Sequence, residues 1–257
     1  MRDKQVIISG GTSGLGLATV NAFLKEGANV IVASRSRERF EKEFGKTNSK
    51  VHFVQTDFGN MESVNALYQR VEKDFKSIDI AINNVGHAEM KPLTEYTEAD
   101  FDHSINVNLK SLWLSLKHQI KLMTADTSNR KHIINISSIN GLGGAEYLSL
   151  YAAAKAGVIS LTKSAALEHA QSNISINAIV PGPFETPMLE KALHTQAGGD
   201  KGKQMAIEEQ YKQMIPKGRF GRPNEFAEAI LWLCQGKSTY LSGHSLILDG
   251  GMTSRFR

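Results

Sequence analysis

The strongest constraint on the fold of this 257-residue chain is a regular alternation of short apolar runs with longer helical patterns. The runs are mostly β-branched and apolar at consecutive positions, which is typical of strands covered on both faces of a parallel sheet. They occupy residues 6–8, 30–32, 51–54, 78–82, 133–136, 174–180 and 246–248. This alternation predicts an α/β fold, a doubly wound parallel sheet of about seven strands flanked by helices.

The segments between the runs carry helical stripes. Asn60 is a predicted N-cap, and one stripe follows it at helical spacing: Val64, Leu67, Tyr68, Val71 and Phe75. A second stripe consists of Phe101, Ile105, Leu109, Leu112 and Leu116. Without an internal repeat or linker, residues 1–257 are expected to form a single domain. The polar, Gly-containing segment 189–216 breaks the rhythm and predicts a substrate-binding lid, with solvated surface structure as the open alternative.

Composition narrows the class of protein. Hydrophobic residues make up 41% and charged residues 22%, an ordinary globular balance, and the net charge of +4 is scattered rather than clustered. We therefore expect no nucleic-acid partner. The lone Cys234 excludes a disulfide framework and a multi-cysteine zinc site, and it is interpreted as a buried apolar residue; we predict no metal. With no signal-peptide pattern and no apolar run of about 18 residues, we expect a cytoplasmic protein that does not enter a membrane.

A glycine-rich turn follows the first predicted strand. Its glycines are Gly10, Gly14 and Gly16, and a helix is expected to begin there. Free backbone N–H groups at a helix N-terminus suit a pyrophosphate. The second strand ends at Ser34 and Arg35, where an NAD site would place an acid. A guanidinium pairs with a 2′-phosphate, so NADP(H) is preferred and NAD(H) is the alternative. Arg37 and Arg39 are interpreted as solvated surface.

Tyr151 and Lys155 lie four residues apart within a predicted helix over 149–172, so both face the same side. A phenol has a pKa near 10, and a neighbouring ammonium lowers it; moving it about three units costs about 4 kcal/mol. Ser138 follows the fifth strand, at the sheet edge where doubly wound folds bind ligands. The sequence therefore indicates acid–base chemistry with Ser138, Tyr151 and Lys155.

Together these motifs resemble the single-domain branch of the short-chain dehydrogenase/reductase family, which has a Rossmann-type fold. The resemblance covers about residues 4–252 and implies an NAD(P)-dependent enzyme acting on CH–OH groups. It implies contacts of the dinucleotide with Gly10, Thr12, Ser13, Gly14, Leu15, Gly16, Ser34, Arg35, Asp57, Phe58, Asn84, Val85, Gly86, Tyr151, Lys155, Pro181, Gly182, Phe184 and Thr186. The family's Asn-Asn-Ala-Gly appears here with Val85 in place of alanine, which changes local packing.

The resemblance also implies a mechanism. Tyr151 acts as general acid/base, Lys155 lowers its pKa and holds the nicotinamide ribose, Ser138 binds the substrate oxygen, and Asn108 holds a proton-relay water. A small-molecule carbonyl or secondary alcohol is the expected substrate. The predicted pocket consists of His87, Met90, Ile139, Leu142, Glu146 and Tyr147.

Several alternatives stay open. A 3-oxoacyl thioester of fatty-acid metabolism competes with a free ketone as the substrate, and Arg130, Lys131 and His132 are candidates for the basic patch that an acyl carrier would need. A non-catalytic nucleotide-sensing protein is the alternative from a different class. The resemblance further implies a homotetramer, with a homodimer as the alternative, paired through helices around 101–124 and 149–172.

Overall fold

All seven predicted strands are present and form one sheet in a computed structural model, which describes residues 1–45, 48–126, 129–235 and 240–254. Each strand is parallel to its neighbours, in the order β3-β2-β1-β4-β5-β6-β7. The strands are β1 (Gln5–Ser9), β2 (Asn29–Ser34), β3 (Val51–Gln55), β4 (Ile80–Asn83), β5 (Lys131–Ile136), β6 (Ile174–Pro181) and β7 (Ser245–Leu248). The prediction of a doubly wound parallel sheet is confirmed.

Helices cover both faces of the sheet. They are α1 (Gly14–Lys25), α2 (Arg37–Phe44), α3 (Met61–Phe75), α4 (Glu98–Ile105), α5 (Ser111–Thr124), α6 (Ser149–Glu168), α7 (Pro187–Gln196), α8 (Lys201–Met214) and α9 (Pro223–Cys234). Alternate side chains of β1 enter different cores: Ile7 packs on the side of α3, α5 and α6, whereas Val6 and Ile8 pack on the side of α1 and α9. Strands buried on both faces explain the continuous apolar runs.

The stripe on α3 is confirmed, because Val64, Leu67, Tyr68 and Val71 are buried. Asn60 caps this helix and accepts hydrogen bonds from the backbone N–H groups of Glu62 and Ser63.

The second predicted stripe fails at its first member. Phe101 is 51% exposed, while Leu112 and Leu116 are buried. A π-helical turn, Asn106–Lys110, lies between α4 and α5. A wider turn changes the angular phase of the helix, so residues before and after it no longer share one face. The helical run expected over 149–172 also ends earlier, at Glu168.

The segment predicted as a lid, 189–216, forms most of α7 and all of α8. Leu193 and Ile215 are buried in a small apolar cluster with Phe220, separate from the two main cores. The segment is therefore helical and packed, and its action as a lid stays a prediction.

Cys234 is buried at the end of α9, as its apolar surroundings predicted. Within the described residues, no helix combines the length and apolar character that a membrane crossing requires.

Candidate active site

The glycine-rich turn joins β1 to α1 at the carboxyl edge of the sheet. Gly10 and Gly14 have φ of 69° and 51°, a left-handed region that favours glycine. The Gly10 N–H donates to the Ala33 carbonyl over 2.8 Å, which fixes the turn against β2. Ser13 is the N-cap of α1, and among the described residues its side chain makes no capping hydrogen bond. The first N–H groups of α1 are therefore available to an anion.

Gly16 differs from the other two glycines. A Cβ at this position would lie 2.2 Å from the Gly10 carbonyl oxygen, so only glycine lets α1 pack this closely on the turn. Gly16 does not line the cleft, unlike Gly10 and Gly14. Gly16 therefore has a packing role in this structure, and its direct contact with the dinucleotide stays a prediction.

Two arginines line the cleft where β2 ends. Arg35 and Arg39 are both exposed, and neither has an ion-pair partner among the residues that the structure describes. Arg37, by contrast, lies outside the cleft, 4.9 Å from the centre of the Phe53 ring. Interpreting Arg37 as surface agrees with this position, whereas the same interpretation missed Arg39 as a cleft residue. The hydroxyl groups of Thr12 and Ser34, which also line the cleft, share a hydrogen bond of 2.8 Å.

The loop after β4 crosses the floor of the cleft. The side-chain amide of Asn84 donates to the carbonyls of Ser9 and Gly10 over 3.2 and 3.3 Å. A Cβ on Gly10 would meet Val85 Cγ2 at 3.3 Å, so the glycine leaves room for the valine. Asp57 and Phe58, which are predicted to contact the dinucleotide, also line this end of the cleft.

Ser138, Tyr151 and Lys155 converge where β5 ends. The Ser137 hydroxyl donates to the Lys155 carbonyl over 2.7 Å, and the Lys155 ammonium donates to the Ile136 carbonyl over 2.8 Å. These two bonds join β5 to α6. The ammonium nitrogen lies 5.7 Å from the centre of the Tyr151 ring.

Burial acts on both ionisable groups. It lowers the pKa of Lys155 to about 8, because this side chain is only 2% exposed and the charged form loses solvation. Burial raises the pKa of Tyr151, and a hydrogen bond with Ser138 opposes that rise. The expected lowering of the Tyr151 pKa by Lys155 is not among the causes in this structure; burial dominates.

Asn108 lies in the π-helical turn, behind the cleft. Its side-chain oxygen accepts from the His87 N–H over 2.8 Å, and its amide nitrogen donates to the His87 carbonyl over 2.9 Å. A cavity of about 10 Å³ lies next to it, lined also by Lys155, Ser111 and Ser115. That volume is at the lower limit for one water molecule.

The glycine-rich turn, the two arginines, and Ser138, Tyr151 and Lys155 share one cleft of about 2100 Å³. Pockets for a single drug-sized ligand measure roughly 300–1,000 Å³, so this cleft has room for a dinucleotide and a second molecule. The structure places Pro181, Gly182, Phe184 and Thr186 along it, and all six predicted substrate residues line it as well: His87, Met90, Ile139, Leu142, Glu146 and Tyr147. Among the predicted site residues, Gly16 and Asn108 lie outside its lining.

Sequence reasoning assigned the segment 189–216 to the substrate pocket but did not name individual cleft residues of α7, α8 or the C-terminal segment. They are Met188, Lys191, Gln196, Tyr211, Met214, Met252 and Thr253. The polar composition of 189–216 indicated this segment, but the pattern did not show which side chains of its helices would face the cleft. His103 was also missed; its ring lies 5.1 Å from that of His87.

The basic patch proposed for an acyl carrier is not beside the cleft. Lys131 and His132 are 1% and 4% exposed at the amino end of β5, whereas Ser138 follows its carboxyl end. Six residues of strand separate the two ends by roughly 20 Å. For these two residues the expected patch was wrong, because both side chains are buried and the amino ends of parallel strands lie at the opposite edge of the sheet from the cleft.

A doubly wound parallel sheet, with a glycine-rich turn after β1 and a deep cleft at the carboxyl ends of its strands, defines the class of nucleotide-binding α/β proteins. Comparison with known proteins identifies the family within this class. A family model described as enoyl-(acyl carrier protein) reductase matches residues 10–253.

Relatives match over almost the whole chain. A 2,5-dichloro-2,5-cyclohexadiene-1,4-diol dehydrogenase from Sphingobium indicum is 33% identical over 98% of this chain and 97% of its own length. A 3-oxoacyl-(acyl-carrier-protein) reductase from Thermotoga maritima is 34% identical over 98% of each protein. The structure of ElxO with NADP bound matches with a TM-score of 0.87 and 33% identity, over 98% of this chain and 100% of that one. The chain belongs to the short-chain dehydrogenase/reductase family of oxidoreductases.

Proposed function

We propose that this protein transfers a hydride between NADP(H) and a carbonyl or secondary alcohol substrate. The observation that carries the proposal is the convergence of Ser138, Tyr151 and Lys155 at the carboxyl end of β5, inside the cleft that also contains the glycine-rich turn. A nucleotide-sensing protein without chemistry would not need a buried lysine beside a tyrosine that lines the cleft. Burying an ammonium disfavours its charged form, so the arrangement favours a catalytic role.

The cleft fits a dinucleotide. The uncapped start of α1 would hold the pyrophosphate, and Gly10 and Gly14 keep the approach to it free of side chains. Arg35 and Arg39 would pair with a 2′-phosphate, since neither has a carboxylate partner among the described residues. When bound, the nicotinamide would donate or accept the hydride.

The residues of this chain would move the proton. Tyr151 carries its proton at neutral pH and would donate it to a carbonyl oxygen; burial raises its pKa, so the transfer would need nearby positive charge that favours the phenolate. Ser138 would donate a hydrogen bond to that oxygen as negative charge develops. Lys155 lies close enough to favour the phenolate once Tyr151 has released its proton. The small cavity between Asn108 and Lys155 supports a relay of the next proton through a water.

Replacing Tyr151 with phenylalanine tests the proposal. The Tyr151→Phe variant should lose activity with ketones by roughly 100-fold to 10,000-fold, because it removes the proton donor. It should still bind NADPH, measured by quenching of protein fluorescence. Tyr240→Phe is the control, because this tyrosine is fully exposed outside the cleft. Near-normal turnover by Tyr151→Phe would refute the assignment.

Two substrate classes remain as proposals. One relative is named for a cyclohexadiene diol and another for a 3-oxoacyl carrier thioester. The loss of the basic patch at Lys131 and His132 removes the feature that favoured docking of an acyl carrier. A free small-molecule carbonyl or alcohol is therefore the first candidate, and the 3-oxoacyl thioester is the second.

We also propose pairing of subunits through α4, α5 and α6, as a homotetramer or a homodimer. Phe101 and Trp113 are 51% and 48% exposed on the first two of these helices, and Leu167 is 78% exposed on the third. Exposed large apolar side chains on long helices suit contact with a second copy.

A further inference from the structure

Several large apolar side chains that line the cleft lie open to solvent. Leu142, Tyr147, Met188 and Met214 are between 44% and 49% exposed. They come from the loop after β5, the start of α7 and the end of α8, so no single helix stripe accounts for them. Exposed apolar surface inside a concave site is surface that a ligand can cover.

Tyr147 has an unusual backbone conformation. The Leu148 N–H donates to the Ala145 carbonyl over 3.1 Å, which closes a four-residue turn with Tyr147 at its third position. Its φ is 61°. A turn with positive φ at this position normally has glycine or asparagine there. A bulky aromatic residue in this region costs roughly 1–3 kcal/mol, so the side chain must contribute something that glycine lacks.

The backbone around Tyr147 is held from a second segment. Its carbonyl accepts hydrogen bonds from the Lys91 N–H and the Tyr96 hydroxyl, each over 3.0 Å. The Tyr96 hydroxyl also lies 2.6 Å from the Glu89 carbonyl, which anchors it to the same segment. These contacts fix the turn, and therefore the point beside the cleft from which the Tyr147 side chain leaves the backbone, four residues before Tyr151.

The segment that contains Lys91 and Tyr96 also contacts α7. Met90 adjoins Lys91, and its sulfur lies 3.6 Å from the side-chain amide of Gln196 on α7. That amide also donates to the Tyr211 hydroxyl on α8 over 3.1 Å. A polar group engaged in this way is less available to substrate hydroxyl groups. The flexible side chains of Met188 and Met214 and the rigid ring of Tyr147 remain as apolar surface that a substrate can contact.

We infer that the substrate is a bulky apolar cyclic ketone, or the corresponding secondary alcohol, and that Tyr147 is a specificity-determining residue whose ring packs against it. The inference rests on the proposed function. A rigid ring loses little conformational freedom when it binds, and it offers a face to the aromatic side chain. A linear acyl chain would gain less from one fixed ring.

The test compares two ketones with NADPH: decalone, a bicyclic apolar ketone, and ethyl acetoacetate, a linear 3-oxo ester. Wild-type protein should prefer decalone in kcat/KM. Tyr147→Gly should lower this preference roughly tenfold, because it removes the ring. Tyr147→Phe keeps the ring and should retain the preference. Tyr240→Gly removes an exposed tyrosine outside the cleft and serves as the control.

A merely structural role for Tyr147 predicts a different result. Glycine removes the strain of the positive φ, so Tyr147→Gly should unfold at the same temperature as the wild type or a higher one. Loss of preference without loss of stability therefore identifies a specificity residue. A preference for ethyl acetoacetate in the wild type, or an unchanged preference in Tyr147→Gly, overturns the inference while the proposed function stands.

Failure of the proposed function gives a separate signature. If wild-type protein reduces neither ketone, calorimetric titration with decalol in the presence of NADP⁺ still tests whether the cleft surface around Tyr147 binds the apolar rings. Weaker decalol binding by Tyr147→Gly would support the binding surface without the chemistry. Equal binding, or none by either protein, would overturn the inference as well.

Discussion

At the scale of residues, the buried ammonium of Lys155 is the most constrained charge in the cleft. Its hydrogen bond to the Ile136 carbonyl supplies a partner, yet burial still lowers its pKa to about 8. Near neutral pH the group is therefore charged but close to titration, so a nearby negative charge has a large effect on it. Under the proposed function, a phenolate formed on Tyr151 would be such a charge and would couple the two residues during turnover.

Arg35 carries the prediction about cofactor choice. Replacing it with aspartate should raise the KM for NADPH by roughly tenfold to 100-fold, because a charged hydrogen bond to the 2′-phosphate is lost and a like charge is added. The KM for NADH should fall or stay the same. Initial rates with both cofactors measure the effect.

Arg37→Asp is the matched control for Arg35→Asp. It makes the same change in charge two residues away, outside the cleft. If both variants alter the NADPH/NADH ratio equally, the effect comes from overall charge. If Arg35→Asp leaves the ratio unchanged, Arg35 does not contact a 2′-phosphate.

Sequence was sufficient for the residues whose position follows from strand ends and helical spacing. Ser138 follows a buried strand, and Tyr151 and Lys155 are four residues apart on one helix, so their meeting was predictable. Arg39, Met188 and Met214 depend on how α2, α7 and α8 are rotated about their axes. The positive φ of Tyr147 depends on hydrogen bonds from Lys91 and Tyr96, more than fifty residues earlier in the chain.

At the scale of elements, the active site depends on how closely the loop after β5 packs on α6. A Cβ on Gly141 would lie 2.7 Å from the backbone carbon and oxygen of Lys155. The Gly141 N–H also donates to the Ser138 carbonyl over 2.9 Å. Ser138 and Lys155 are therefore positioned by the same close contact of backbones.

Gly141→Ala should separate these elements. We expect a loss of stability of about 1–3 kcal/mol from overpacking, together with a fall in kcat of tenfold or more, because Ser138 shifts relative to Tyr151. Thermal unfolding and steady-state kinetics measure the two effects. Gly143→Ala is the matched control in the same loop, since a Cβ there has nothing within 4 Å. Equal behaviour of the two variants would show that the close contact is unimportant.

The π-helical turn shows why the presence of these helices was easier to predict than which of their residues face the core. The spacing of Phe101, Leu112 and Leu116 fits one continuous helix. The turn at Asn106–Lys110 instead places Asn108 against His87 and leaves Phe101 exposed. A local preference for the wider turn is not visible in residue spacing, because it depends on the hydrogen bonds between Asn108 and the loop after β4.

At the scale of the whole molecule, the two edges of the sheet have different chemistry. The carboxyl edge carries the cleft. The amino edge carries a cluster in which the Lys131 ammonium, 1% exposed, lies 3.2 Å from Asp79 and 2.6 Å from Asp126. Lys4 reaches Asp79 from the surface over 3.3 Å. This cluster joins the starts of β1, β4 and β5, so it contributes to stability far from the reacting groups.

Asp79 is the centre of that cluster. Burial raises its pKa, but the Gln5 N–H and the Lys131 ammonium outweigh burial and hold the pKa below its usual value. A carboxyl group with a lowered pKa stabilises the fold above its unfolded-state pKa, and this contribution is lost as the pH falls through the acid range. The stabilising effect of Asp79 should therefore be complete at neutral pH and should disappear well below pH 4.

Asp79→Asn tests whether the two edges act independently. We expect a loss of about 2 kcal/mol at neutral pH, below the roughly 3–5 kcal/mol for an unpaired buried charge, because Asp126 still pairs with Lys131. That corresponds to a fall in Tm of roughly 5 °C, and this difference from the wild-type Tm should become smaller as the pH is lowered. Lys4→Gln, which removes the more exposed of the two lysine partners of this carboxylate, should cost less than about 1 kcal/mol. KM values should match wild type in both variants. A changed KM in Asp79→Asn would mean that the amino edge of the sheet influences the cleft. If Asp79→Asn and Lys4→Gln had the same Tm, the buried charge of Lys131 would not depend on Asp79.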